Sequence, residues 1–190
     1  TNKYYCDSNK AKLTRDTRRL ADVSQIRSLL EKYYSAKRCD NDQTRLCQAN
    51  AGCYGGGVCG NYYPALQAGT YVANRSFSVW PSWQDNLGNA LGAILPVDPL
   101  NNIVGFKGCE NNTDGYVTTT CWNETTKTMK CPLDASRVYS YRADGKGTTM
   151  ELLFRGEYNT TGAKWIPANW SYVDLIRINP FRINNYFVNY

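Results

Sequence analysis

Eight cysteines and no histidine set the chemical limits of this 190-residue chain. Without an imidazole there is no Ser-His-Asp triad, no Cys-His dyad, no His-ligated zinc and no histidine general base. The cysteines are Cys6, then the group Cys39, Cys47, Cys53 and Cys59, then Cys109, Cys121 and Cys131. No C-x-x-C pair occurs, so the tight turn that usually presents two thiolates to zinc is missing. An even count in loop-rich sequence reads as disulfides and as an oxidising, extracytoplasmic compartment. The spacing predicts a Cys121–Cys131 bond, because a short hairpin around NETTKTMK brings its two ends within disulfide reach. Cys39 to Cys59 are expected to pin their own segment or tie it to neighbouring loops. Cys6 and Cys109 have no assigned partners.

The remaining candidates are weaker. Gly55, Gly57 and Gly60 match G-x-G-x-x-G, but NYYPALQAG follows and no helix opens there, so dinucleotide binding is not expected. The 16 acidic residues show no pair placed for glycoside hydrolysis. With no cofactor fingerprint, the chain reads as a non-enzyme that needs no cofactor. Asp98, Asn101 and Asn102 carry oxygens that suit calcium, though Asx residues beside proline more simply make turns. Sequons at Asn74, Asn111, Asn123, Asn159 and Asn169 mark candidate glycosylation sites.

Charge is concentrated in one place. Residues 10–38 hold nine Lys/Arg against three Asp/Glu, which accounts for the whole net charge of +6. The plain reading is a solvated helix face. The functional readings are contact between subunits or with an anionic surface polymer.

The elements that must position these groups follow from periodicity. Ser8 can cap a helix, and no Pro or Gly interrupts residues 10–38. Leu20, Val23, Ile26, Leu30, Tyr33 and Tyr34 fall on one helical stripe. The expectation is a helix docked through Leu20, Val23, Ile26, Leu30 and Tyr34, with Arg15, Arg18 and Arg19 turned away from the sheet. Residues 39–70 read as an irregular, cystine-pinned loop. Ser82 and Asp85 form a capping-box-like start to a short helix. Strand patterns cover Ile103–Lys107, Tyr116–Trp122, Val138–Arg142, Met150–Arg155 and Val173–Ile178, with Asp144-Gly145 as a hairpin turn. The aromatic tail from Phe154 to Tyr190 is expected to pack back on the sheet. The fold class is α+β: a long N-terminal amphipathic helix on an antiparallel sheet, with a cysteine-rich loop between them. One domain spans 1–190, as a helix (1–38), an αβ loop region with a short helix (39–102), and a sheet with its tail (103–190). The longest plainly apolar run, Leu91–Val97, is far short of a membrane span. The opening TNKYYCDSNK is polar and does not read as a signal peptide, so the chain as given is expected to be soluble.

The order of motifs resembles type IV pilins and the major pseudopilins of type II secretion. The helix carries Arg15, Asp16, Arg19, Asp22 and Val23 in an R-D-x-x-R-x-x-D-[IVL] pattern and ends in Tyr33-Tyr34. Tyr63-Pro64, then Trp80 and Trp83, then Leu95, Pro96, Val97, Asp98, Pro99 and Asn101 follow in the family's order, and Thr120, Cys121 and Trp122 lead toward Cys131-Pro132. The resemblance implies a structural subunit of an extracellular pilus or pseudopilus, anchored in the membrane before assembly. Its partners would be other pilin subunits, met through the helix of the full-length protein. It also implies a calcium ion near the later strands, which cannot be placed on particular residues here. The apolar first half of the family's helix is not in this sequence, so the chain is expected to be monomeric. The alternative role is a minor subunit acting as an adhesin or as a DNA- or glycan-binding tip.

Overall fold

The computed structural model describes residues 3–67, 73–102, 122–123, 128–129, 137–157 and 173–178, with side chains described for 9–67, 73–102 and 137–157. A single long helix, α1 (Lys3–Ser35), opens the chain. It begins before Ser8, so Ser8 is not its cap, and it ends at Ser35, where the Ser35 hydroxyl donates to the Lys32 carbonyl. Val23, Ile26 and Leu30 are buried on its inner face, as the periodicity requires. Leu20 is not: it is 46% exposed, on the helix flank. Tyr34 packs at the edge of the core, stacked on Tyr63 with ring centroids 4.5 Å apart.

The main sheet is antiparallel, in the order β4 (Arg75–Phe77), β7 (Ser140–Ala143), β8 (Met150–Phe154), β9 (Val173–Ile178). In β8, Met150, Leu152 and Phe154 are buried while Glu151 and Leu153 are not, the period-two alternation expected for a sheet with one covered face. Across the β7–β8 pairing, Tyr141 opposes Leu152 and Ala143 opposes Met150. These inward residues meet the helix stripe together with Tyr63, Leu66, Trp83, Leu87, Leu95 and Tyr139. Strand β4 has only three residues and no readable alternation, and no sequence pattern marked it.

Asp144 organises the β7–β8 turn by accepting from the backbone N–H of Thr148 and Thr149 and from the Thr148 hydroxyl. Gly147 is required there. Its φ is +75°, and a Cβ at that position would run into the Tyr63 carbonyl oxygen. The Gly147 carbonyl in turn accepts from the Tyr63 N–H at 2.7 Å, so this turn holds the YYPAL segment against the core.

The segment read as irregular contains a small antiparallel sheet in the order β2 (Asp42–Leu46), β1 (Arg38–Cys39), β3 (Cys59–Gly60). The short helix also departs from expectation. It is a wide π-type turn (Trp83–Gly88) running into α2 (Asn89–Leu91). Ser82 has helical backbone angles and caps nothing; its hydroxyl bonds the Ser76 hydroxyl at 2.8 Å in the interior. A two-residue pairing of β5 (Trp122–Asn123) with β6 (Thr128–Met129), and single 3-10 turns at Asn50–Gly52 and Tyr54–Gly56, complete the described elements. The expected strands Ile103–Lys107 and Tyr116–Cys121, and the aromatic tail apart from β9, lie outside the described residues.

Candidate functional site

Two constellations stand out: an ion cluster under the helix, and the cystine loop. The cluster corrects the helix expectation. Arg19 is fully buried rather than turned to solvent. Its Nε and Nη2 donate to Asp98 Oδ2 and Oδ1 at 2.6 and 2.8 Å, and its Nη1 donates to Asp16 Oδ1 at 2.6 Å. The same Nη1 lies 2.6 Å from Glu157 Oε1. Arg15 adds a two-pronged pair to Glu157 at 2.7 and 2.5 Å. The Glu157 backbone N–H donates back to the Asp16 carboxylate at 3.0 Å. One helix turn, the turn after α2 and the chain leaving β8 are thus fastened at a single point. Arg18 alone of the three arginines behaves as expected, largely exposed and 3.6 Å from Asp22.

Burial disfavours the Arg19 cation, but its bonds to Asp98, Glu157 and Asp16 outweigh that and raise its pKa. Burial likewise pushes the Glu157 carboxyl up, and the hydrogen bonds from Arg15 and Arg19 pull it below its ordinary value. Next to the cluster, the Tyr139 hydroxyl donates to Asp22 at 2.8 Å; burial first, then that bond, raises its pKa. Every group in the cluster is turned toward another member of it, so it fastens elements.

The calcium candidates do not converge. Both Asp98 oxygens face the Arg19 fork, and Oδ1 also accepts from the Leu100 N–H at 2.9 Å. A guanidinium across the carboxylate stands where a cation would have to bind. Asn101 exchanges hydrogen bonds with Ser78 instead, and Asn102 is exposed, its backbone bridged to Arg137. Of the sequons, Asn74 sits in a turn at φ +60°, and its partner Ser76 is fully buried. Asn123 lies on β5, while Asn111, Asn159 and Asn169 lie outside the described residues.

The cystine loop is pinned internally by Cys39–Cys53 and Cys47–Cys59. Cys6 lies in α1 with its side chain undescribed, and Cys109, Cys121 and Cys131 lie outside the described residues, the expected Cys121–Cys131 bond with them. Two disulfides indicate an oxidising, extracellular-type environment. Among the described residues, no helix is long and apolar enough to cross a membrane. At the loop's outer edge Tyr54 is 73% exposed, with the Arg45 guanidinium 3.8 Å over its ring.

Exposed apolar side chains complete the surface. Leu13 and Leu20 lie two turns apart on one helix flank, and Ile94, Val97 and Leu100 lie on the turn that Asp98 ties to Arg19. Sequence reasoning missed Glu157 as a partner of the helix and missed the burial of Arg19. The available signal was Arg15, Asp16 and Arg19 at helical spacing, which puts opposite charges on one face. No family model, curated protein or solved structure matches the chain.

Proposed function

We propose that the chain is the globular domain of a type IV pilin-like structural subunit, exported to the cell surface and without enzymatic activity. In this reading the helix joins it to other subunits in the full-length protein, and the chain alone is a monomer. One observation carries the proposal. Helix α1 spans 33 residues, yet among its described side chains none before Asp16 is buried. Leu13 and Leu20 are exposed on its flank, and an exposed apolar flank is the kind of surface that another subunit covers.

The test is made in the source cells. Filaments sheared from the surface should contain this chain in bulk, and cysteines placed by Leu13→Cys and Val97→Cys should cross-link neighbouring copies. Sheared surface fractions that lack the chain would refute the proposal.

The stacked Tyr54–Arg45 pair favours the second reading, a minor tip subunit that binds a glycan or DNA. An exposed ring with a cation over it suits sugar faces and phosphates. Tyr54→Ala should then abolish attachment to the ligand while leaving the filaments intact. Unchanged attachment would remove that reading.

A further inference from the structure

The two disulfides share one site. The Sγ atoms of Cys39, Cys47 and Cys53 all lie within 4.8 Å of one another, and Cys59 is bonded to Cys47. In a tetrahedral tetrathiolate site, zinc–sulfur bonds of about 2.3 Å place the sulfurs roughly 3.8 Å apart. Three of the four sulfurs already converge on a volume of that size, and Cys59 reaches it through its partner Cys47. We propose that, with both disulfides reduced, residues 39–60 bind one soft divalent cation, zinc by its chemistry, through Cys39, Cys47, Cys53 and Cys59.

The absence of C-x-x-C is what argued against zinc from spacing, and tertiary pairing replaces it. Cys39 and Cys59 are direct partners in the β1–β3 ladder. Cys47 directly follows β2, its backbone N–H bonded to the Lys37 carbonyl at 3.1 Å. Noncovalent bonds hold the rest of the frame. The Asp40 N–H donates to the Val58 carbonyl at 3.0 Å, and the Val58 N–H donates to Asp40 Oδ1 at 2.7 Å. The Cys59 N–H donates to Asn50 Oδ1 at 2.9 Å, and Asn41 donates to the Tyr54 carbonyl at 2.7 Å. None of these is a sulfur–sulfur bond, so each is available to the reduced loop once a metal ion takes over the crosslinks. Arg45 donates to the carbonyl of Gly52, the residue before Cys53, at 2.6 Å and adds one more noncovalent tie to the frame.

The chemistry balances with a named reductant. Each sulfur–sulfur bond is cleaved by one equivalent of a phosphine, which is oxidised to its phosphine oxide with an oxygen from water, leaving two thiols. Four thiols then release four protons as the dication binds. A chain bound for an oxidising compartment carries these groups as thiols before it is oxidised. The ion holds the loop folded at that stage.

The full 190-residue chain, reduced with a phosphine, is titrated with cobalt(II) alone and with zinc alone, followed by absorption spectroscopy and native mass spectrometry. One ion per chain is expected, with sulfur-to-cobalt charge transfer and tetrahedral ligand-field bands, and none in the oxidised chain. Cys47→Ser/Cys53→Ser should lose the tetrathiolate bands and weaken binding on the order of 100-fold or more, since losing even an outer partner of a metal ligand costs up to about that much. The variant with Cys6, Cys109, Cys121 and Cys131 all changed to Ser should bind as the parent does; if it does not fold, the comparison of Cys47→Ser/Cys53→Ser with the parent decides. No uptake by the reduced chain, octahedral oxygen-type bands, or uptake that survives Cys47→Ser/Cys53→Ser would overturn the proposal.

Discussion

Replacing Arg19 by Met keeps most of the side chain's length and removes its charge from a fully buried position. Asp98, itself fully buried, then keeps backbone donors from Leu100 and Asn101 at 2.9 and 3.4 Å but no cation. Asp16 loses its 2.6 Å donor, and Glu157 retains Arg15. Removing one partner from a buried ion pair typically costs about 3–5 kcal/mol, because the charge left behind is uncompensated. For a chain of this length that lowers Tm by about 6–20 °C. The pH dependence adds a signature that lost packing alone would not produce. The Glu157 carboxyl is held below its ordinary value in the folded protein. Its stabilising contribution is therefore present above the ordinary carboxylate pKa and is lost as pH falls through the depressed one. The parent loses that contribution on acidification, whereas Arg19→Met has already lost its Arg19-dependent part. The stability gap between the two should narrow from about pH 5 to about pH 3, across and below the ordinary carboxylate value of 4.5. Urea unfolding followed by tryptophan fluorescence at both pH values measures it. A cost below about 1 kcal/mol, or a gap that does not change with pH, would refute the reasoning.

On the helix, Leu30→Ala should cost roughly 2–5 kcal/mol as a buried truncation, while Leu20→Ala and Arg18→Ala should each cost less than about 0.5 kcal/mol; thermal melts of the three variants check this. Gly147→Ala should destabilise by more than about 2 kcal/mol, since left-handed backbone alone costs about 1–2 kcal/mol for a residue with a Cβ and the Tyr63 carbonyl blocks the new methyl; denaturant midpoints would show it. Reduction with a chelator present should raise amide hydrogen exchange in residues 39–60 before it does so in Val23–Leu30, because the helix face has its own apolar burial; earlier opening of the helix would contradict this. Tyr139→Phe removes the bond to Asp22 and should cost about 1 kcal/mol, read from the same unfolding curves.

Much of the architecture was written locally. The 3.6-residue recurrence of Val23, Ile26 and Leu30 and the alternation of Met150, Leu152 and Phe154 each bury one face, and burial of one face is what periodicity encodes. The hairpin at Asp144-Gly145 was legible in place but not in form: the chain reverses over residues 144–149, with Gly147 rather than Gly145 at positive φ. The end of the helix at Ser35 rather than Arg38, the three-residue β4 and the role of Ser82 were not legible, because short elements take their conformation from neighbours distant in sequence.

The candidate sites divide along the same line. The residue types alone excluded histidine chemistry and marked the chain for disulfides, since thiol content and compartment are linked whatever the fold. Which sulfurs pair, Cys39 with Cys53 and Cys47 with Cys59, is decided by the β2–β1–β3 sheet. The fate of Arg19 shows the same limit more sharply. A helical pattern separates charged from apolar positions, and by that rule an arginine belongs in water. Only the fold brings Asp98, 79 residues away, and Glu157, 138 residues away, onto the same face. A buried charge is tolerated when partners arrive from elsewhere in the chain, and no local pattern records where those partners will be.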